Sequence, residues 1–223
     1  MKLKRFEEKF TTPSTEIHQL LPLAITKSDE EYGCVGGLSL TGEWIRPIPI
    51  KVKSLIESNS PFQYRQRTNI VVNNEKIYDT IRPEDRKLIS IDNNKHPITH
   101  NQMIEIIGNH LDNDVDEAFS HNRSLGLIQA TVHDIYLKPS TQKRIFIRMK
   151  FSDNKNNEYD WIVPEINLGK QIWGLDALET QIKFLRSHTT YLCLGLTLPN
   201  NRFPGLFRGC HPLVVGVHTK KEW

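Results

Sequence analysis

Cysteine is scarce in this sequence, and long apolar runs are absent. The 223 residues include 3 cysteines, widely spaced and without a CxxC pair. An odd and scattered count excludes a disulfide framework or a zinc ribbon and favours a reducing compartment. No apolar stretch approaches the ~20 residues that a membrane-spanning helix needs. The charged start, Met1–Arg5, is not followed by the apolar segment of a signal peptide. We therefore expect a cytoplasmic protein that has no membrane partner.

The signatures of catalysis are missing too. The sequence contains no GxGxxG, no P-loop lysine and no GxSxG nucleophile motif. His96 and His100 are four residues apart, but Pro97 between them argues against a helical ligand pair. Cys210-His211 has no second tight pair to complete the four ligands of a zinc site. The sequence thus predicts a non-enzymatic protein with no metal and no cofactor.

The composition is that of an ordinary globular protein, but the charge is unevenly distributed. Hydrophobic residues make up 38% and charged residues 25%, and the formal net charge is +3. Residues 1–120 carry 15 basic and 18 acidic side chains, whereas residues 121–223 carry 14 basic and 8 acidic ones. The basic half suits an anionic partner, although ordinary surface lysines would give the same surplus.

The first half of the chain is rich in strand signals. Residues 1–19 are polar and predict an N-terminal arm, and residues 20–120 predict a first OB-like domain that opens with strands from Leu20 to Ile50. Arg65–Val72 predicts a further strand. Residues 79–100, rich in Asp, Asn and Pro, predict a loop. Met103, Ile106, Ile107 and Leu111 recur at helical spacing, so a helix is expected over Gln102–Leu111.

The second half, residues 121–223, has a more legible order of elements. Three strands are predicted over Leu125–Leu137, Lys143–Phe151 and Glu158–Val163, a helix over Gln171–Arg186, and two strands over Tyr191–Leu198 and Leu213–His218. Three strands, a helix and two strands are the order of the OB fold, a five-stranded barrel. The fold class expected for the whole chain is therefore mainly β, a β-barrel protein with few helices and two tandem OB-like barrels.

The strand Lys143–Phe151 carries the strongest local signal. Side chains alternate between the two faces of a strand, so Ile145, Ile147, Met149 and Phe151 are expected in the barrel interior. The opposite face would present Arg144, Phe146, Arg148 and Lys150. An exposed aromatic ring among cations is typical of a platform for single-stranded nucleic acid, on which a base stacks while the cations neutralise phosphates. The alternative is that Phe146 packs under a loop or the other domain and the cations are merely solvated.

Further candidate contacts lie elsewhere in the chain. Trp44 and Arg46 share one strand face and predict a second contact face, although a core role for the tryptophan is the main alternative. Arg82, in the segment Arg82–Arg86, and Arg123 are further candidates for contacts with nucleic acid. For Arg82 a local salt-bridge network is the competing interpretation, and for Arg123 a role in ordering the domain junction.

Several short segments resemble the dual OB-fold domain family of bacterial conflict-system proteins. Their order along the chain carries the resemblance, and the chain departs from the family at Gly195, near which relatives usually have Ser. The segments are Cys34-Val35-Gly36-Gly37, Gly42-Glu43-Trp44-Ile45-Arg46-Pro47, Arg82-Pro83-Glu84, Ser124-Leu125-Gly126, Tyr159-Asp160-Trp161-Ile162-Val163-Pro164, Leu192-Cys193-Leu194-Gly195-Leu196 and Leu213-Val214-Val215-Gly216-Val217. The resemblance implies two tandem OB barrels and nucleic-acid binding, and it implies no catalytic residues.

Three functions are compatible with these patterns. We expect a non-catalytic protein that binds DNA or RNA, in single-stranded form, within a bacterial defence or mobile-element system. The first alternative is an adaptor whose protein partner is a nuclease or an ATPase in a defence complex, which an exposed apolar patch would favour. The second is a sensor of a nucleotide or another small molecule, which needs a pocket between the barrels.

Overall fold

The computed structural model describes residues 15–76, 81–140, 145–172 and 175–222. Arg144, one of the predicted contact residues, lies outside these ranges, as do residues 1–14 of the predicted arm. The strands are β1 (Thr15–Lys27), β2 (Tyr32–Leu38), β3 (Trp44–Ile48), β4 (Ile50–Lys51), β5 (Gln66–Lys76), β6 (Asp85–Pro97), β7 (Leu125–Pro139), β8 (Ile145–Ser152), β9 (Glu158–Ile162), β10 (Thr190–Leu196) and β11 (Pro212–Thr219). The helices are α1 (Lys53–Ile56), α2 (His100–Gly108), α3 (Val115–Ala118), α4 (Ile166–Gln171) and α5 (Leu175–Ser187).

The first five-stranded barrel consists of β1, β2, β3, β5 and β6. These strands pair in the order β1-β5-β6-β3-β2, and the antiparallel pairing of β1 with β2 closes the ring, with β4 added beside β2. The pairing of β3 with β6 is parallel, whereas the other four pairings of the ring are antiparallel. Its interior is an apolar core that includes Leu20, Val35, Ile45, Phe62 and Ile70.

The second barrel repeats this topology with β7, β8, β9, β10 and β11. The closed order is β10-β11-β9-β8-β7, and here β9 and β11 form the parallel pair. The helices α4 and α5 lie between the third and fourth strands of the barrel. Five strands with this order and one parallel closure are the OB fold. The chain is therefore a tandem of two OB folds, as predicted.

A shared apolar core joins the two barrels. It combines Leu38 and Trp44 of the first barrel with Leu125, Tyr191 and Val215 of the second. The helix α2 adds Met103 and Ile107 to this core. The side chains of β2 and β3 that point away from the interior of the first barrel are consequently covered by the second barrel.

Local sequence explains where α2 begins. Thr99 precedes the helix, and its hydroxyl accepts a hydrogen bond from the backbone N–H of Gln102, while the Gln102 side chain accepts one from the Thr99 N–H. This reciprocal pair is a capping box. The predicted helix over Gln102–Leu111 is confirmed, with its start two residues earlier.

Three expectations about elements need correction. The segment predicted as a loop contains the long strand β6, since its outward positions are polar and conceal the alternation. The predicted arm overlaps β1, which begins at Thr15 and pairs with β5 from its first residue. The single helix predicted over Gln171–Arg186 is preceded by the separate helix α4, and α5 begins at Leu175. Among the described residues, no helix is long and apolar enough to cross a membrane.

Candidate nucleic-acid interface

Trp44 and Arg46 do not form an exposed contact face. Trp44 is 8% exposed and belongs to the core between the barrels, and Arg46 is 2% exposed. The predicted alternation of β3 is correct, because Ile45 points into the first barrel while Trp44 points out of it. The prediction of a contact face fails because the second barrel covers this side of the strand. The alternation of residues along one strand does not indicate whether another domain covers one of its faces.

Arg46 instead belongs to a buried polar network across the domain junction. Its Nη1 donates to Asp85 Oδ1 at 3.1 Å, and its Nη2 donates to Ser124 Oγ at 2.8 Å. Glu84 completes the network by accepting from the Ser124 hydroxyl at 2.8 Å and from the Ser124 backbone N–H at 2.6 Å. Burial raises the pKa of Asp85, and the charges of Arg46 and Arg82 oppose this increase. The hydrogen bonds and the ion pair of this network link β3 and the start of β6 to the start of the second barrel.

Arg82 and Arg123 are likewise engaged within the protein. Arg82 lies 3.3 Å from Asp85 through its Nε, and its side chain is largely buried. Arg123 pairs with Asp112 at 2.6 Å and donates to the backbone carbonyl of Glu117. Arg82 is thus part of a salt-bridge network and Arg123 links the residues that precede the second barrel, the two alternative roles expected for them. Contact of either arginine with nucleic acid stays a prediction.

The strand β8 presents the face that its alternation predicts, except at its first residues. Met149 and Phe151 are fully buried in the second barrel, whereas Ile145 is 68% exposed and Ile147 half-buried. The reason is that β9 pairs with β8 only from Arg148 onward, while β7 pairs with it from its first residue. Residues Leu137–Pro139 and Ile145–Ile147 therefore form a two-stranded ribbon that projects beyond the barrel, and the interior position predicted for Ile145 is wrong.

The outward side of β7 and β8, which we call the platform face, carries Tyr136, Lys138, Phe146, Arg148 and Lys150. Phe146 is 37% exposed and stands directly opposite Lys138 in the antiparallel register. Lys150 is exposed, with its Nζ 5.6 Å from the centre of the Tyr136 ring. An accessible aromatic ring flanked by cations is the arrangement on which a base stacks while phosphates lie along its edge.

Two carboxylates moderate the charge of the platform face: Asp160 of β9, and Asp134 of β7, which stands directly opposite Lys150. Arg148 donates through Nε to Asp160 Oδ1 of the adjacent strand β9 at 2.9 Å, and Tyr136 donates to Asp160 Oδ2 at 2.7 Å. Burial raises the pKa of Asp160, but the hydrogen bonds from Tyr136 and Arg148 outweigh this and lower it below its usual value. Asp160 therefore stays ionised and neutralises Arg148, and it also stands opposite Lys150 in the register of β8 with β9. Lys138, opposite Phe146, is the exposed cation beside the ring, whereas Lys150 lies four residues further along β8.

The loop between β10 and β11, residues 197–211, is a second exposed element that the sequence reasoning missed. Leu213 of β11 pairs with Ile162 of β9, whose other neighbour is Arg148, so the loop returns to the sheet close to the platform face. The Arg202 guanidinium lies 5.5 Å from the centre of the exposed Phe203 ring. The sequence feature that could have indicated this exposed loop is an Arg-Phe pair within a segment rich in Asn, Pro and Gly.

Hydrogen bonds and one partly buried ring keep this loop ordered. The Asn200 side chain accepts from the backbone N–H groups of Arg202 and Phe203, both at 3.0 Å. Phe207 anchors the loop by packing edge-on against Phe119 of the second-barrel core, with ring centres 4.8 Å apart. In OB folds, the loop between strands four and five and the face of strands two and three are the surfaces that bind oligonucleotides.

The described part of the chain shows no constellation for metal chemistry. No group of three or more His, Cys, Asp or Glu residues there is arranged to hold a metal ion.

Comparisons with known proteins add little beyond the fold. No protein-family model matches the chain, and no curated protein matches it. Among solved structures, one similar chain belongs to a replication protein A heterotrimer bound to single-stranded DNA, with 10% sequence identity and a TM-score of 0.37. The match covers 94% of this chain and 51% of that chain, so the present protein spans about half of its length. A likeness this distant carries no argument about what the present chain binds.

Proposed function

We propose that this protein binds single-stranded nucleic acid, without catalysis, on the platform face of the second barrel. The observation that carries the proposal is the Phe146 ring, exposed on the second strand of an OB barrel, opposite Lys138 and on the same face as Lys150. A base stacks on such a ring at a gain of about 1–3 kcal/mol, and the two lysines attract the phosphates on either side.

The position of the platform face in the tandem supports this assignment. The second barrel contacts the first through β7, β10 and β11, whose residues enter the shared core, whereas β8 and β9 contribute none to it. The corresponding face of the first barrel, on β1 and β2, is covered, because Leu21, Leu23 and Leu38 belong to the shared core. We infer that the first barrel acts as a rigid support and the second as the binding module, with Arg202 and Phe203 of the 197–211 loop extending the contact.

Titration of a fluorescent oligothymidine with the protein tests the proposal. Anisotropy should rise to saturation, and the observed affinity should fall as salt is added, because bound lysines release counterions from the phosphates. A duplex of the same length should bind more weakly, since its bases are not free to stack on Phe146. Affinity that does not respond to salt, or equal affinity for the duplex, would overturn the assignment to single strands.

A second candidate function rests on the opposite side of the ribbon. Leu137 and Ile145 are both about half exposed or more and lie on the face away from Phe146, together with the half-buried Ile147. An exposed apolar patch of this kind favours docking of another protein. The protein would then be an adaptor, and the resemblance of its motifs to conflict-system proteins suggests a nuclease or ATPase of a bacterial defence or mobile-element system as the partner.

Two substitutions separate the two candidates because they change adjacent residues on opposite faces. Ile145→Glu should abolish binding of a nuclease or ATPase partner and leave oligonucleotide binding intact. Phe146→Ala should do the reverse. If Ile145→Glu weakens oligonucleotide binding as much as Phe146→Ala does, the two faces do not act separately and the adaptor hypothesis loses its support.

A further inference from the structure

The loop between β10 and β11, residues 197–211, presents three large apolar side chains to solvent. Leu198 is 55% exposed, Phe203 62% and Leu206 90%. A single exposed apolar residue is common on a protein surface, but three such residues on one loop indicate a surface that a partner covers. Two of the three are leucines, which have no ring on which a base can stack.

Backbone hydrogen bonds fix the part of the loop that carries Leu206. The Gly205 N–H donates to the Gly209 carbonyl at 3.0 Å, and the Cys210 N–H donates to the Phe207 carbonyl at 2.8 Å. Gly209 has a φ of 79°, a left-handed conformation that glycine adopts without strain. The chain thus turns tightly between Gly205 and Gly209, where Phe207 packs against the second-barrel core and Leu206 points into solvent.

The loop carries positive charge and no negative charge. Its charged side chains are Arg202 and Arg208, and it contains no Asp or Glu. Arg208 donates to the Asn122 side chain and to the Arg123 carbonyl, and Arg202 lies over the Phe203 ring. No carboxylate of the described residues pairs with either guanidinium. Two uncompensated cations beside apolar side chains suit a partner that combines negative charge with apolar surface.

The loop and the ribbon that carries Phe146 lie at opposite ends of the second barrel. The loop follows the end of β10, where Gly195 pairs with Leu125, the first residue of β7. The ribbon contains the last residues of β7, where Pro139 pairs with Ile145. The platform face lies between these two ends, so a strand that is bound along the platform face can continue to the loop.

The end of a nucleic-acid duplex meets the requirements of this loop. Its phosphates are anionic, and the outer face of its last base pair is apolar. Proteins that open or kink a duplex insert Leu or Phe side chains against base pairs in this way, with Arg or Lys beside the phosphates. The last base pair is stacked on one side only, so it is the easiest to open. Continuity with the platform face favours a duplex end over an acidic protein surface of the same charge.

We propose that Leu206 and Phe203 form a wedge that opens the end of a duplex, so that the preferred nucleic acid is a duplex with a single-stranded tail. The tail lies on the platform face, the wedge covers the last base pair, and Arg202 and Arg208 lie beside its phosphates. This inference rests on the proposed function, because Phe146 holds the tail.

Anisotropy titrations with four DNA ligands test the proposal: a duplex with a 5′ tail, one with a 3′ tail, the oligothymidine tail alone and the blunt duplex. At least one tailed duplex should bind at least about tenfold more tightly than both the tail and the blunt duplex. A 2-aminopurine in its last base pair should brighten on binding, because stacking quenches this base. A tailed duplex that binds no more tightly than its tail, or unchanged 2-aminopurine fluorescence, would overturn the wedge.

Leu206→Ala locates the wedge. The Leu206 side chain is almost fully exposed, so its removal leaves the core intact. Binding of the tailed duplex should weaken at least about fivefold and the 2-aminopurine signal should fall, whereas binding of the tail alone should not change. Ile17→Ala is the matched control, because Ile17 is an exposed aliphatic residue of β1 in the first barrel. No loss in Leu206→Ala, an equal loss in Ile17→Ala, or an equal loss for the tail alone would contradict the proposal.

Phe146→Ala separates this inference from the proposed function. It should weaken binding of the tail and of the tailed duplex by the same factor, and the 2-aminopurine signal at saturation should remain. If the tail binds and responds to Phe146→Ala but the duplex adds no affinity, the wedge is overturned and the platform face stands. If the tailed duplex binds and opens but Phe146→Ala changes no affinity, the platform face is overturned and the wedge alone stands.

Discussion

The Arg46 guanidinium of the first barrel lies 2.8 Å from the Ser124 hydroxyl at the start of the second. Both side chains are buried; Asp85 accepts a hydrogen bond from Arg46, and Glu84 accepts one from the Ser124 hydroxyl. The two barrels are therefore joined by a polar network as well as by an apolar core. Such a junction holds the second barrel in one orientation and leaves its β8–β9 side accessible.

Replacement of Arg46 should destabilise the protein strongly. Arg46→Met removes the cation and leaves Asp85 and Glu84 close together in a buried site. Breaking a buried pair in this way typically costs about 3–5 kcal/mol. Urea unfolding should show a loss of this order in the free energy of unfolding. Arg148→Met, which breaks the more exposed pair with Asp160, is the control and should cost less than about 1 kcal/mol. Equal losses in the two variants would show that the network does not stabilise the junction.

Gly216 tests the close approach of the two barrels. A Cβ at this position would lie 1.9 Å from the backbone oxygen of Leu23 in β1. Gly216→Ala must therefore push β11 away from β1, at a cost of about 1–3 kcal/mol or more in the free energy of unfolding. Gly108→Ala is the matched control, because a Cβ there meets no atom within 4 Å. It should be neutral or stabilise the protein by a few tenths of a kcal/mol. A Gly216→Ala variant as stable as the wild type would contradict the observed packing.

The sequence predicted the second barrel better than the first. The strands β7, β8, β9, β10 and β11 alternate or form apolar runs bounded by turn residues, so their order could be read directly. The strand β6 was not predicted because only part of its length faces the core, and because residues such as Asp92 and Asn94 are typical of loops. Its strand conformation comes from pairing with β5 and β3, which are distant in sequence.

The sequence predicted only those features of the candidate site that depend on a single strand. Phe146, Arg148 and Lys150 share a face because side chains alternate, and this holds in any fold. The burial of Trp44 and Arg46 depends on the domain that covers their strand. The ion pair of Arg148 depends on Asp160, which lies in another strand. Tertiary contacts of this kind cannot be predicted from the local periodicity of the sequence.

Acid should destabilise the protein partly through His218. Burial lowers its pKa from 6.5 to about 4, so between these values the unfolded chain binds a proton that the folded chain does not. Stability is therefore unaffected by this residue above pH 6.5 and falls as the pH drops toward 4, by about 3 kcal/mol in all. His218→Gln retains a donor for the Leu23 carbonyl but does not titrate. Urea unfolding from pH 7.5 to 4.5 should give a flatter profile for this variant, and identical profiles would show that His218 makes no contribution.

Lys150 should contribute charge without contributing stacking. Lys150→Ala removes one phosphate-facing cation, so the slope of log affinity against log salt for single strands should decrease by about 0.7. The loss of affinity should be smaller than that caused by removing the Phe146 ring. Salt titrations of wild type and variant provide the comparison. A slope identical to that of the wild type would place Lys150 outside the contact surface.

The most direct test of the central claim is the affinity of a single-stranded oligothymidine for wild type, Phe146→Ala and Ile145→Ala, measured side by side by anisotropy. The two variants change neighbouring residues on opposite faces of the same ribbon. If a base stacks on the platform face, Phe146→Ala loses about 1–3 kcal/mol of binding free energy, and Ile145→Ala binds as the wild type does. Unchanged affinity in Phe146→Ala, or equal losses in the two variants, would contradict the account.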